Sequence, residues 1–442
     1  SLRFDNMLNW EEWDLCEDDE QVSKFPSLRF LSVRECPLLL GRLPTILQSL
    51  QTIEIYECKR LVVSISSFPL LCELSVGGCE ELVDEESNFP PALKELWIGN
   101  CENLQYLVDE KENNNKSMSM SSNTCLLERL QITYCPSLIW LSSRGDICNR
   151  LQHLQIMECS KLSRLFLNAK LPVMLKKLFI RDCPVLECIS QDFLETTDLE
   201  SIRISGAGKF KSLPRGLDKL SHLQEIRLKL CPNLVSFEES GLPTTNLRVF
   251  AIKNCENFGV LPKCINNFTS LRELKVSYCS ADISFPEEGF PANLTSLAIS
   301  NAPKIYTSLV QWGFNRLTSL QQLNISGEGC SNVVSFPEEG IGMTLPPSLT
   351  SISIKNFENL EFMCSKGFQY LTSLQKLRID DCPKLTSLSE KDMLLSLEPL
   401  SIYDCPLLEK GCSRGKGREW SKIAHIPYVR IDGEIVNPRE LY

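Results

Sequence analysis

The stretch LKKLFIRDCPVLECI, Leu175 to Ile189, holds the pattern on which the fold turns. Leu175, Leu178, Ile180 and Cys183 fall in a fixed spacing, and Phe179 and Arg181 alternate with the apolar pair. Alternation of this kind is the mark of a strand with one face buried. Alone, two cysteines beside an Arg–Asp pair would suit a metal site, a redox pair or a nucleophile. The stretch is not alone.

The register L-x-x-[LI]-x-[IVL]-x-x-C-x-x-L opens at Leu28, Leu50, Leu71, Leu93, Leu127, Leu151, Leu175, Leu199, Leu223, Leu247, Leu271, Leu294, Leu320, Leu349, Leu374 and Leu397, which makes 16 copies. From Leu127 to Leu271 the step is 24 residues every time. A fixed period in the twenties with this consensus is the signature of leucine-rich repeats. One copy cannot bury its leucines alone, so the copies must stack. The expectation is an α/β repeat solenoid, a horseshoe with a concave parallel sheet of about 17 strands and irregular, mostly non-helical convex return segments.

The period also marks irregularities. The step from Leu93 to Leu127 is 34, and the excess, residues 109–123, is Asn/Ser-rich and reads as a loop insertion. Leu2, Phe4, Met7 and Trp10 fit the second half of a copy, so a partial first repeat is expected, as in a fragment of a longer protein. Residues 1–410 then form the solenoid, and 411–442 form a C-terminal cap. In the cap Trp420, Ile423 and Ile426 cover the core, and Val429 and Ile431 make a last strand.

The cysteines follow the register. Cys36, Cys58, Cys79, Cys101, Cys135, Cys159, Cys183, Cys231, Cys255, Cys279, Cys382 and Cys405 form an inward structural ladder, where a small side chain can pair with the turn backbone. Stacked equivalent positions hold their Cβ atoms parallel, too far apart for disulfides. No C-x-x-C occurs, so zinc is not expected. Cys188 lies off the ladder and is expected in the return-segment core.

Catalytic patterns are missing. There is no G-x-S-x-G elbow, and His153, His222 and His425 are scattered. The tail GCSRGKGR is one residue short of a P-loop and has Gly417 in place of the Ser/Thr, so it reads as a solvated basic segment. The sequence is read as non-enzymatic, with no cofactor bound by this chain. A net charge of −10 argues against general nucleic-acid binding. No apolar run reaches the ~18 residues of a membrane span. The odd count of 21 cysteines is unlike a secreted disulfide framework.

Binding in such a fold belongs to the outward strand positions. Each copy offers two such positions, the residue between the inward pair and the one after it. Among these 32 positions nine are basic: Arg34, Arg181, Arg203, Arg227, Lys229, Lys253, Lys275, Lys355 and Arg378. Glu54 and Asp380 alone are acidic, and Tyr56, Trp97, Phe179 and Tyr403 supply aromatic anchors. A binding face for a protein with an acidic surface is expected there.

The copies L-x-x-L-x-I-x-x-C-P-x-L, linkers such as SFPEEGFPANL (284–294) and the tail CPLLEKGC…EWSKIAHIPYVRIDG (405–433) resemble the C-terminal repeats of plant intracellular immune receptors. These are the nucleotide-binding leucine-rich-repeat proteins of the coiled-coil class. The resemblance covers essentially the whole chain. It implies recognition of pathogen effectors or guarded host proteins, a contribution to autoinhibition through an intramolecular contact with a nucleotide-binding domain, and a cytoplasmic setting that extends to the nucleus or the plasma-membrane surface. ADP or ATP would bind only to that other domain. The alternative is the substrate-receptor repeat region of an F-box ubiquitin ligase, although Pro and a short loop after Cys fit that class less well.

Overall fold

The computed structural model of the chain describes residues 1–13, 25–43, 47–64, 68–79, 82–83, 90–107, 126–142, 149–166, 171–193, 198–237, 241–242, 245–280 and 282–437. The insertion at 109–123 lies outside them, as do Cys16, Cys125 and Cys148. The chain divides into two compact units. The first is Ser1–Leu223 with Leu230–Asn233 and Glu239–Leu242. The second is Gln224–Lys229, Leu234–Glu238 and Pro243–Tyr442.

Each unit is a stack of short parallel strands, one per copy. The first unit holds Leu2–Asp5, Phe30–Arg34, Thr52–Tyr56, Glu73–Gly77, Glu95–Gly99, Arg129–Thr133, His153–Met157, Lys177–Arg181 and Ser201–Ser205. The second holds Glu225–Lys229, Val249–Lys253, Glu273–Ser277, Ser296–Ser300, Gln322–Ser326, Ser351–Lys355, Lys376–Asp380, Pro399–Tyr403 and Tyr428–Ile431. The register is that of the sequence pattern, with Leu178 beside Ile202 and Phe179 beside Arg203. The chain is a leucine-rich-repeat solenoid, and its parallel strands carry one buried and one outward row set.

Burial explains the consensus. Leu175, Leu178, Ile180, Cys183 and Leu186 are at most 1% exposed. Burying a leucine removes it from water at a gain of roughly 1.5–3 kcal/mol, and here the neighbouring copies supply the burial. At the first strand Leu2 and Phe4 are half-exposed, and Phe4 packs on Trp10 and Trp13 at 4.9 and 5.4 Å.

The end of each strand has its own geometry. The residue just before the ladder cysteine takes a left-handed backbone, for example Glu158 (φ 57°), Asp182 (φ 54°), Asn254 (φ 54°) and Tyr278 (φ 52°). Its N–H still reaches the next strand: Asp182 N–H donates to the Ser205 carbonyl at 2.8 Å, and Asn254 to Ser277 at 2.9 Å. The twist thus turns the chain while keeping one more rung of the ladder. A left-handed non-glycine residue costs roughly 1–2 kcal/mol, so the rung and the buried cysteine must repay it. The C-x-x-L step that follows is a tight turn, closed by Leu186 N–H to the Cys183 carbonyl at 3.1 Å. Proline after cysteine sits at the second position of that turn, where its fixed φ belongs.

The twelve ladder cysteines are buried, Cys279 being the most exposed at 6%. Their thiols lie near the carbonyl two residues back, as Cys183 Sγ to Arg181 O at 3.6 Å and Cys405 Sγ to Tyr403 O at 3.1 Å. All the described cysteines are free thiols. Cys188 differs from expectation. Leu186 and Ile189 fill the return-side core, and Cys188 between them is only half-buried.

The return segments are mostly extended or tight turns, with short parallel pairings such as Gly41–Arg42 with Leu61–Ser64. One regular helix, Pro303–Trp312, stands out. Proline opens it and Gly313 ends it, and Ile305, Tyr306, Leu309 and Val310 form its buried stripe.

In the tail, Ile423, Ile426 and Val429 are fully buried and Trp420 half-buried. Tyr428–Ile431 extends the parallel ladder beside Pro399–Tyr403. Asp432 (φ 45°) and Gly433 (φ 87°) then reverse the chain into an antiparallel strand, Glu434–Asn437. Two successive left-handed residues with Asp-Gly are the tight hairpin turn that sheet twist favours. The glycine-rich segment keeps its basic residues in solvent, as expected, while Cys412 and Glu419 at its two ends are buried. Cys412 is fully buried and Gly417 sits against the Gly411 carbonyl, leaving Arg414 and Lys416 outside. Glu419 anchors the segment. Its buried carboxylate accepts the Leu388 N–H at 2.9 Å and pairs with Lys422 at 3.2 Å.

Two outcomes are expected. Under native thiol labelling read by mass spectrometry, exposed Cys264 reacts before the buried ladder cysteines among the described thiols. Burial keeps reagent from the ladder thiols, and at Cys58 and Cys279 it also pushes the thiol up, to about 11 and about 12. Gly206 holds the left-handed position (φ 69°), and a Cβ there would meet Asp182. Gly206→Ala should therefore lower stability by about 1–2 kcal/mol in urea unfolding.

Candidate protein-binding face

Three residues of each five-residue strand point outward, because side chains alternate. The residue between the inward pair and the one after it are two of them. The remaining one is the first, and with the left-handed residue it carries most of the carboxylates on this face.

In the first unit Arg34 pairs with Glu54 at 2.7 Å and lies over the Tyr56 ring at 4.9 Å. The hydrogen bond to Glu54 raises its pKa. Tyr56 and Trp97 are 5.4 Å apart. Phe179 is half-buried, and Arg181 is exposed, 2.9 Å from Glu158 and 3.5 Å from Asp182. Arg203 is exposed and not without a partner.

In the second unit Arg227 is bonded to Glu225 and, at 3.1 Å, to Glu273. Lys275 reaches the same Glu273 oxygen at 2.8 Å. Burial pushes the Glu273 carboxyl up, but hydrogen bonds from Lys275 and Arg227 outweigh it and hold the pKa below the ordinary value. Lys229 and Lys253 are exposed. Lys355 and Arg378 share Asp380 at 3.0 and 2.8 Å, and Arg378 stacks on Tyr403 at 4.7 Å.

Large and small residues alternate along the middle row of this unit. Ala251, Ala298 and Ser353 are at most 8% exposed between Arg227, Lys275, Asn324 and Arg378. The cations therefore stand over a floor of small side chains, held by carboxylates but open on one side. Such an arrangement can accept carboxylates from a partner, since a guanidinium offers more donors than one carboxylate uses.

The histidines form no catalytic pair in these surroundings. His153 is half-buried, its pKa lowered by burial and by Lys177 and Arg129. His425 meets the Leu394 carbonyl at 3.0 Å. Among the described residues no group of three or more His, Cys, Asp or Glu could hold a metal ion, and no helix is long and apolar enough to cross a membrane.

Comparison with known proteins adds the family. Residues 59–184 match the model for leucine-rich repeats of RPS2-like plant disease resistance proteins. The chain is 30% identical to the disease resistance protein At3g14460 of Arabidopsis thaliana over 427 residues, 95% of this chain and 25% of that protein. Its repeats are similar to the leucine-rich repeats of plant disease resistance proteins. A second relative, the RPP13-like protein 1 of Arabidopsis thaliana, is 37% identical over 142 residues, covering 24% of this resistance-type repeat region and 13% of that protein. Among solved structures, a leucine-rich-repeat protein of Leptospira interrogans covers 89% of this repeat region and 93% of its own chain at 19% identity, with a TM-score of 0.49. The resistance-type repeat region thus spans about a quarter of the length of its longest-aligned curated relative.

Glu273 yields a pH prediction. Its folded pKa is below the ordinary 4.5, so its stabilising contribution is complete above that value and is lost as pH falls through the folded pKa. Glu273→Gln should therefore flatten the acid limb of a stability–pH profile measured by thermal unfolding, with the wild type losing more stability below about pH 4.5.

Proposed function

We propose that this chain is the recognition region of a plant intracellular immune receptor, and that its strand face binds a pathogen effector or a guarded host protein through an acidic surface on that partner. The observation that carries the reading is the second unit's strand face, in a resistance-protein repeat. There Arg227, Lys253, Lys275, Lys355 and Arg378 rise above a floor of alanine and serine. Clefts and faces of one charge attract partners of the other and set their register. The same region, in contact with a nucleotide-binding domain, would hold the receptor off until a partner arrives. A cytoplasmic setting, including the nucleus and the inner plasma-membrane surface, fits such a receptor. On this reading any nucleotide would bind to that other domain.

Two observations test the reading. The coding sequence upstream of Ser1 should encode a P-loop ATPase domain, whereas an F-box there would overturn it. In the full-length receptor, Arg227→Gln, Lys253→Gln and Lys275→Gln together should weaken co-precipitation of the partner at least about tenfold. Gln at the exposed return-segment lysines Lys263, Lys366 and Lys384 should leave it unchanged. Equal binding by both triple variants would reject the basic face.

A further inference from the structure

The strand face of the first unit carries a patch of the opposite chemistry. We propose that the face made by residues 52–57, 73–78 and 95–100 binds a cationic side chain, lysine or arginine, presented by a protein partner. This rests on the reading that the strand face recognises proteins. It does not rest on the basic cluster of the second unit.

The patch is built around two rings. Tyr56 and Trp97 lie on strands that flank Glu73–Gly77, with ring centroids 5.4 Å apart. The outward positions that would crowd them are glycines. A Cβ on Gly77 would stand 3.0 Å from Trp97 and 3.1 Å from Tyr56, and one on Gly99 would stand 2.5 Å from Trp97. The benzene edge of the indole therefore occupies the volume that side chains of two neighbouring copies would fill. Trp97 remains half-buried, so part of the ring system faces solvent.

Charge decides the occupant. The three segments read TIEIYE, ELSVGG and ELWIGN, with four carboxylates and no basic residue. Arg34 reaches in from the preceding strand to engage Glu54 at 2.7 Å, and Arg129 from the following one engages Glu95 at 2.9 Å. The other two carboxylates meet only neutral donors among the described residues. Glu57 lies across Gly78 and receives the Asn100 amide at 3.5 Å, and Glu73 receives the Thr52 hydroxyl at 3.5 Å. Arg34 already covers Tyr56 at 4.9 Å. The patch thus shows on one ring the contact that Trp97 offers to an incoming cation. Tryptophan is the strongest aromatic partner for a cation, and a nearby carboxylate adds to the attraction. Gly78, which places Glu57, adjoins Gly77, which places the indole. The two recognising groups therefore each lie against one of two consecutive glycines.

The test uses the whole chain and a fluorescently labelled hexa-arginine peptide, with hexa-glutamate as the counter-probe, in an anisotropy titration. Trp97→Ala leaves the net charge unchanged, yet should weaken hexa-arginine binding about tenfold. Trp97→Phe should recover part of that loss, and Glu57→Gln should weaken binding several-fold. Glu358→Gln makes the same charge change on an exposed return segment and should have no effect. Thermal unfolding confirms that each variant is folded, and Glu57 is exposed enough for its change to be borne. Binding by Trp97→Ala within twofold of wild type would overturn the proposal. So would an equal loss in Glu57→Gln and Glu358→Gln, which would mean attraction by net charge alone. Because Arg227, Lys253 and Lys275 remain in place throughout, failure here leaves the basic face standing, and failure there leaves this patch standing.

Discussion

No copy of this chain can bury its own apolar residues. A strand of five residues with two inward side chains has no second layer to pack against, so each copy depends on the ones before and after it. The constraint reaches the backbone through the left-handed residue at the strand end. Its N–H must find the next strand's carbonyl, as Asp182 finds Ser205. If the next copy started late, the rung and the leucine contact would fail together. The step of 24 residues from Leu127 to Leu271 is therefore a packing requirement, and departures from it must be absorbed in return segments.

The same requirement explains what could be read in advance. Inward residues answer to one neighbour type, so Leu178, Ile180 and Cys183 announce themselves by spacing alone. Outward residues answer to one another across strands, and linear spacing does not show which will meet. Glu273 bridges Arg227 and Lys275 across a strand that carries Ala251 between them. Reading all three alternating positions would have brought Glu225 and Glu273 into view. Three local signals also went unread. These are Pro303 and Gly313 bracketing a helix, Asp432-Gly433 specifying a hairpin, and the residue before cysteine, which tolerates Asn, Asp and Gly because they enter the left-handed region most easily. Tyr134 and Leu230 obscure that last pattern, because bulky residues pay more there.

Function separates from fold along the same line. The inward rows hold the stack, and the outward rows can change without touching it. Within each unit the outward rows differ in character. In the first, aromatic rings lie over glycines among carboxylates. In the second, cations stand over alanine and serine. A surface of paired charges is less sticky than its cations alone suggest, because each approaching carboxylate must compete with one already present. That competition favours a partner whose charges match several positions at once.

The closing hairpin fixes how such an array could lengthen. A parallel copy can be slipped between two others, because both faces of the gap offer the same register. Beyond Ile431 the neighbouring strand runs the other way. A further copy there would meet an edge of the wrong polarity, with its leucines out of step. Duplication of this repeat is therefore directional, since new copies enter upstream of the hairpin and the hairpin is carried along unchanged.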